Sequence, residues 1–175
     1  RLKTNDTIQL IDGKGTFYEA IIIDDNPKKC EVEITKTTPE ENSKPFLNIA
    51  IAPTKNNDGL EWFIEKCTEI GITEISPILC KHSERKNLKT ERLVKTAVAA
   101  MKQSLKASLP IINELQSFDN LVKGEFKGNK YIAHCYEQNQ AQFKDCCNKG
   151  ENTLILIGPE GDFSEQEVTK AIENG

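Results

Sequence analysis

The apolar positions of this chain change their period near residue 46. Ahead of it, "LKTNDTIQLIDGKGTFYEAIIIDDNPKKCEVEI" carries short β-rich runs broken by Asn5-Asp6, Asp12-Gly13-Lys14-Gly15 and Asp24-Asp25-Asn26-Pro27. That spacing predicts antiparallel strands joined by tight turns, in the manner of a small barrel. About three strands fit, few for an independent barrel, so one more is expected ahead of Arg1. The polar stretch Thr37 to Pro45, "TTPEENSKP", contains two prolines and reads as a linker. The expected division is therefore a small antiparallel β unit over residues 1–40 and a second unit over residues 46–175.

In the second unit Phe46 to Ala52, "FLNIAIA", reads as a buried strand. Leu60, Phe63, Ile64, Cys67 and Ile70 then recur at helical spacing until Gly71 supplies a stop. "ITEISPILC" follows as a strand, and strand, helix, strand with short connections is a right-handed βαβ crossover. The fold class is thus α/β with a parallel sheet. After Pro110 the signal weakens until the strand "KYIAHC" (Lys130 to Cys135), a short helix near Ala141 to Cys147, the strand "TLILIG" and a last helix. Ser164 with Glu167 three residues on is a capping box for that helix. An α/β unit ordinarily returns to its sheet, so a further strand is expected past Gly175, beside "TLILIG".

A helix over Glu91 to Ala107 carries Val94, Ala97, Val98, Met101 and Leu105 on one side and Arg92, Lys95, Lys102 and Lys106 in a stripe on another. Charge sharpens this picture. The net charge of −4 hides a cationic segment, with Lys81, Arg85, Lys86 and Lys89 just upstream of the stripe. A solvated lysine face and a phosphate-contact surface for nucleic acid both fit such a pattern. With 37% hydrophobic and 29% charged residues the chain has a globular composition, and it lacks the run of about 18 apolar residues that a membrane helix needs. The cysteines show no C-x-x-C pair and only two histidines accompany them, so no zinc site is expected and the thiols read as reduced, cytoplasmic ones.

Candidate chemistry centres on "LILIGPEGDFSEQEV", Leu154 to Val168, where an aliphatic strand runs into a glycine turn and a helix start. In parallel α/β sheets ligands sit outside the carboxyl ends of strands. The turn matches neither the dinucleotide nor the P-loop pattern, and Glu160 and Asp162 would repel a polyphosphate. A nucleoside cofactor without phosphates, or one with positive charge, fits better than a nucleotide; a tight turn of structural value only is the other reading. His134 reads as a strand-end group, Trp62 as a packing aromatic and Cys146-Cys147 as helix surface and core rather than a redox pair.

"LILIGPEGDFSEQE" closely resembles the turn of the RsmE-type ribosomal RNA methyltransferases of the knotted SPOUT superfamily, whose pattern is IGPEGGFS followed by acidic residues. "RLKTNDTIQLIDGKGTFYEAII" resembles their PUA-like β-barrel, "IAPTKNNDGLEWFIEKCTEIGITEISPI" their central helix and strands, and "SERKNLKTERLVKTAVAAMKQSLKASLP" their serine, arginine and glutamine signature. The resemblance implies S-adenosylmethionine as cofactor, methylation of N3 of a uridine in 16S ribosomal RNA of the small subunit, a C-terminal trefoil knot, and a cytoplasmic homodimer. Carried over by position, it implies that Ala133, His134, Ile157, Gly158, Pro159, Glu160 and Gly161 bind the cofactor. Lys55, Ser83, Arg85, Arg92 and Gln103 match positions on the RNA side or supporting it, and the stripe residues Lys95, Lys102 and Lys106 extend that side. Asp162 departs from the family's second glycine, at a backbone position that Asp can still adopt. The family's N-terminal His and Val-Leu motif is not met, and the segment expected to thread the knot and bring an arginine is looked for beyond Gly175. Glu160 is the one candidate base within these residues, with a backbone-organising role favoured for it. The alternatives are a non-catalytic RNA-binding protein with a degenerate cofactor turn, and an α/β enzyme for a different nucleoside ligand.

Overall fold

A computed structural model describes residues 2–40, 45–136 and 142–175. Strands β1 (Thr7–Ile11), β2 (Thr16–Asp24) and β3 (Glu31–Pro39) form an antiparallel sheet in the order β1-β2-β3. The β1–β2 turn uses Gly13 and Gly15 at φ 73° and 97°, where side-chain-bearing residues are disfavoured. Asp12 organises it, accepting the N–H groups of Lys14 at 2.7 Å and Thr16 at 3.1 Å. Thr37, Thr38 and Pro39, read from sequence as the start of a linker, belong to β3 instead and pair with Tyr18, Phe17 and Thr16. Pro39 is tolerated because β3 is an edge strand. Residues 41–44 of the expected linker lie outside the described residues.

The second unit begins with β4 (Leu47–Ile51), α1 (Asn57–Ile70) and β5 (Glu74–Leu79). Helix α1 starts at Asn56, whose side chain accepts from the Asp58 N–H, and stops at Gly71, φ 92°, whose N–H reaches the carbonyls of Cys67 and Thr68. Helix α2 (Thr90–Gln103) is followed by β6 (Ile111–Ile112), β7 (Gln116–Ser117), α3 (Phe118–Lys123), β8 (Asn129–Ala133), α4 (Phe143–Cys146), β9 (Thr153–Ile157) and α5 (Glu165–Glu173). Ala141, where the sequence starts the short helix, lies outside the described residues. Elements β6, β7 and α3 occupy the stretch in which periodicity is too short to detect.

The large sheet is parallel, in the order β6-β5-β4-β9-β8, with β7 also pairing β5. Pro77 sits in an interior strand, where a missing N–H normally breaks a ladder. Thr73 and Ile75 accept from Ile111 and Asn113, so alternation points the Pro77 nitrogen to that same side. There the partner strand is interrupted, because β6 pairs with Glu74 and Ile75 while β7 pairs with Ile78 and Leu79. Strand β9 has neighbours on both sides, β4 and β8. The further strand expected beside it therefore has no place there; among the described residues the edges of the sheet are β8 on one side and β6 and β7 on the other.

Helices cover both faces. Ile49, Ile51 and Ile75 pack with Leu60, Ile64 and Cys67 of α1 and Leu93 and Ala97 of α2. On the other face Ala50, Ala52, Ile78, Leu154 and Leu156 pack with Phe118 and Val122 of α3, with Phe163 of the turn ahead of α5, and with Val168 of α5.

Helix α2 stops earlier than the expected Ala107. Leu105 takes φ 53°, its N–H reaches the Lys102 carbonyl at 3.4 Å, and the Lys106 N–H reaches that of Met101 at 3.1 Å. This is a Schellman closure with leucine where glycine is usual. Leu105 is consequently 74% exposed rather than part of the apolar face, and Lys106 leaves the helical stripe. Ala107 to Leu109 then dock on the hairpin of the first sheet, with Gly15 N–H donating to Ala107 (3.0 Å) and Leu109 N–H to Gly13 (2.9 Å).

Candidate active site

Strands β4, β5 and β6 step outward in one direction, whereas β8 forms the opposite edge and β9 returns to lie between β8 and β4. The order reverses beside β4 and β9. The glycine turn follows β9 at that point, the place where open α/β sheets bind ligands. Loops after β4, β5, β8 and β9 converge there.

Gly158 is favoured by close approach rather than by φ. A Cβ at this position would stand 3.1 Å from two ring atoms of Phe163 and 3.2 Å from its backbone nitrogen. The only left-handed residue of the turn is Asp162, at φ 60°, a conformation that Asp adopts more readily than most residues. Glu160 accepts the Lys55 N–H at 2.9 Å, and this bond holds its carboxyl below the usual glutamate range. The Glu167 carboxylate accepts the Ser164 and Lys81 N–H groups, each at 2.8 Å, tying the start of α5 to the end of β5.

The remaining partners are less legible in the sequence. His82 Nδ1 lies 3.2 Å from the Gly161 carbonyl and 3.1 Å from that of Asp162, contacts that its N–H makes as donor. Its only sequence signal was a histidine directly past a strand. Asp162 Oδ2 accepts the Cys135 N–H at 2.9 Å and Oδ1 accepts the Phe163 N–H at 2.7 Å. The Tyr136 hydroxyl donates to the Phe163 carbonyl at 2.8 Å. The turn is thus braced against the ends of β4, β5 and β8.

Beside these braces a cavity of about 600 Å³ lies between β8, β9 and α4, lined among others by Tyr131, Ala133, His134, Phe143, Ile155 and Ile157. Of the residues expected to hold a cofactor, Ala133, His134 and Ile157 meet at this cavity. Gly158, Pro159, Glu160 and Gly161 continue from it toward the loops after β4 and β5. His134 Nδ1 accepts the Tyr136 N–H at 3.2 Å, a strand-end role. Cys67 and Cys80 are buried, and burial pushes both thiols up to about 12, so neither offers a thiolate.

The residues expected on the RNA side divide into two groups. Arg85 clamps the loop after β4, with Nε on the Thr54 carbonyl at 3.0 Å and its terminal nitrogens on Lys55 and Asn57. Ser83 is buried, its hydroxyl accepting the Cys80 N–H at 2.9 Å, so it supports rather than touches a polyanion. Lys55 pairs with Glu84 at 2.9 Å and Arg92 with Glu61 at 2.6 Å. Lys95, Lys102 and Gln103 are exposed, as are Lys86 and Lys89, and these lysines have no ion pair among the described residues. Trp62, read as a packing aromatic, is 62% exposed. Leu60 and Ile64 take the buried face of α1, and helical geometry turns Trp62 away from Ile64.

The family model for an RNA methyltransferase domain matches residues 40–175, and that for an RNA methyltransferase PUA domain matches residues 1–35. Ribosomal RNA small subunit methyltransferase E of Rickettsia conorii is 28% identical over 172 residues, 96% of this chain and 69% of the relative. The crystal structure of a probable rRNA-methyltransferase from Porphyromonas gingivalis superposes with a TM-score of 0.93 at 38% identity, covering 100% of this chain and 75% of that one. Ribosomal RNA small subunit methyltransferase E from Neisseria gonorrhoeae, solved with S-adenosyl methionine, shares the fold at 20% identity, with a TM-score of 0.87 over 100% of this chain and 74% of the other. On the match of the methyltransferase model to most of its length, and on the Porphyromonas likeness, this chain belongs to the RsmE-type family of ribosomal RNA methyltransferases.

Proposed function

We propose that the chain methylates N3 of a uridine in 16S ribosomal RNA of the small subunit, with S-adenosylmethionine as cofactor. We read it as a cytoplasmic homodimer whose residues 1–40 form a PUA-like barrel unit and whose residues 46–175 belong to a knotted methyltransferase unit. The observation that carries the reading is the cavity beside the glycine turn at the switch point. Its volume of about 600 Å³ lies in the range of roughly 300–1,000 Å³ typical of small-molecule sites. Aliphatic Ala133, Ile155 and Ile157 suit a nucleoside, and the carboxylates Glu160 and Asp162 nearby suit a sulfonium cation better than a polyphosphate.

Bound there, S-adenosylmethionine supplies an electrophilic methyl group. The chain's residues contribute shape and order. Ala133, His134 and Ile157 line the cleft, the braced turn fixes its rim, and Lys86, Lys89, Lys95, Lys102 and Gln103 present an exposed, mostly cationic surface for RNA phosphates. N3 of uridine carries a proton that must leave as the new bond forms. Glu160 is ionised and already accepts the Lys55 N–H, which supports the organising role for it over that of base.

Calorimetry with S-adenosylmethionine and S-adenosylhomocysteine, and a nucleoside analysis of small-subunit RNA after incubation with the protein, test the reading. Cofactor binding and N3-methyluridine are expected. RNA binding without cofactor binding would replace it with a non-catalytic RNA-binding protein. Replacing both Lys95 and Lys102 by Ala should reduce the slope of log affinity against log salt by about 0.7–0.9 for each phosphate that is no longer neutralised; an unchanged slope would return them to a solvated face.

A further inference from the structure

We propose that Asp162 is a positioning residue that couples the glycine turn to the end of β8 and so holds open the cleft for the cofactor; the proposal rests on the functional reading above. Three observations meet in this side chain. It occupies the left-handed region at φ 60°, where a residue with a Cβ is strained and glycine is not. One carboxylate oxygen takes the Phe163 N–H at 2.7 Å, directly ahead of the helix cap at Ser164. The other reaches across the site to the Cys135 N–H at 2.9 Å.

That N–H belongs to the segment after β8, an edge strand of the sheet. His134 and Cys135 both line the cavity, and Ala133 pairs with Ile157 at the last rung of the ladder. Beyond that rung the β8 segment has left the sheet, and among the described residues two bonds hold it to the turn: Asp162 on Cys135, and the Tyr136 hydroxyl on the Phe163 carbonyl. Only the first uses a charged acceptor, and a charge-assisted bond is roughly twice as strong as a neutral one. Glycine would relieve the backbone strain, yet it has no atom with which to reach Cys135. The carboxylate accordingly offsets a strained backbone angle with order at the wall of the cleft, and order in the free protein is what a ligand no longer has to impose.

Asp162→Gly and Asp162→Asn in the full chain separate this role from a stability effect. Asp162→Gly is expected to fold, since its backbone angle suits glycine, with S-adenosylhomocysteine binding weakened about fivefold to tenfold, the share of one charge-assisted hydrogen bond spent on preorganisation. The Cys135 amide should exchange with solvent faster, while the loss appears in KM for the cofactor more than in kcat. Asp162→Asn keeps an acceptor, although a neutral one, and tolerates the same φ, so it should restore about half of the lost affinity and part of the protection of Cys135. Wild-type affinity together with an unchanged Cys135 amide in Asp162→Gly would overturn the proposal, as would an Asn variant no better than Gly. Failure of the unsubstituted protein to bind S-adenosylhomocysteine would instead overturn the functional reading itself.

Discussion

Strand β9 presents two faces made of the same kind of residue, and they end in different environments. Leu154 and Leu156 are each 3% exposed in the core beneath α3 and α5. Ile155 and Ile157 alternate with them, remain half-buried, and line the cavity beside β8. Four aliphatic side chains in a row thus divide between packing and a cleft. The covered face gains the hydrophobic stabilisation of roughly 25 cal/mol per Å² removed from water. The other leaves part of that gain unrealised at the point where the strand order reverses, which is where a ligand can supply it.

The sharpest way to break this comparison is to truncate both faces. Leu156→Ala should destabilise by about 2–5 kcal/mol, from lost transfer energy and the hole left behind. Ile155→Ala should cost less, about 1–2 kcal/mol, because its site already borders a cavity. Urea denaturation of the two variants decides it: equal losses would mean that the two faces are packed alike.

Gly158→Val comes next, at the exit of the same strand. Its Cβ would stand 3.1–3.2 Å from the Phe163 ring and nitrogen, tighter than ordinary contact, and Phe163 is fully buried in the core of the Leu154 face and has little room to yield. A stability loss of about 1–3 kcal/mol is expected from overpacking, together with loss of cofactor binding as the turn shifts. A variant as stable as the parent in thermal melts would show that the turn can give way without disturbing the core.

The smallest effect belongs to the wet rim. The Lys55 N–H lowers the pKa of Glu160, so the bond adds stability above the ordinary glutamate pKa of about 4.3. That contribution is lost as pH falls through the lowered folded value. Glu160→Gln should therefore melt slightly below the parent at neutral pH, and the two curves should converge in acid. Because the carboxylate is exposed, solvent screening keeps the difference small. Parallel melting curves across that range would remove Glu160 from the account of loop order.

Much of this molecule was legible in its sequence. The helix stop at Gly71 and the capping box at Ser164 appear where local chemistry places them, because caps depend on residues within one turn. Strand and helix periods located β4, α1, β5, β8 and β9 for the same reason. The misreadings arose where distant contacts act. Helix α2 was expected to reach Ala107, but Leu105 closes it and the following residues bond to the β1–β2 turn, a partner nearly a hundred residues away in sequence. Trp62 reads as a packing aromatic on the helix, although Leu60 and Ile64 fill the face of α1 that packs and Trp62 is exposed. Arg85 and Ser83 look like a polar signature in one dimension; in three they fasten the loops after β4 and β5.

By itself the sequence determined the α/β class, the antiparallel unit ahead of it, the glycine turn at a strand end and the resemblance to a methyltransferase family. Each of these rests on residue type and near-neighbour spacing, which short-range sterics and hydrogen bonding translate directly into local structure. Tertiary structure alone decided that β9 lies between β4 and β8, that His82, Cys135 and Tyr136 converge on the turn, and that Asp162 serves as a tie as well as a substitute for glycine. Strand order and cross-loop hydrogen bonds are set by the free energy of the whole packed sheet, to which residues far apart in sequence contribute together, so no local window of the chain contains them.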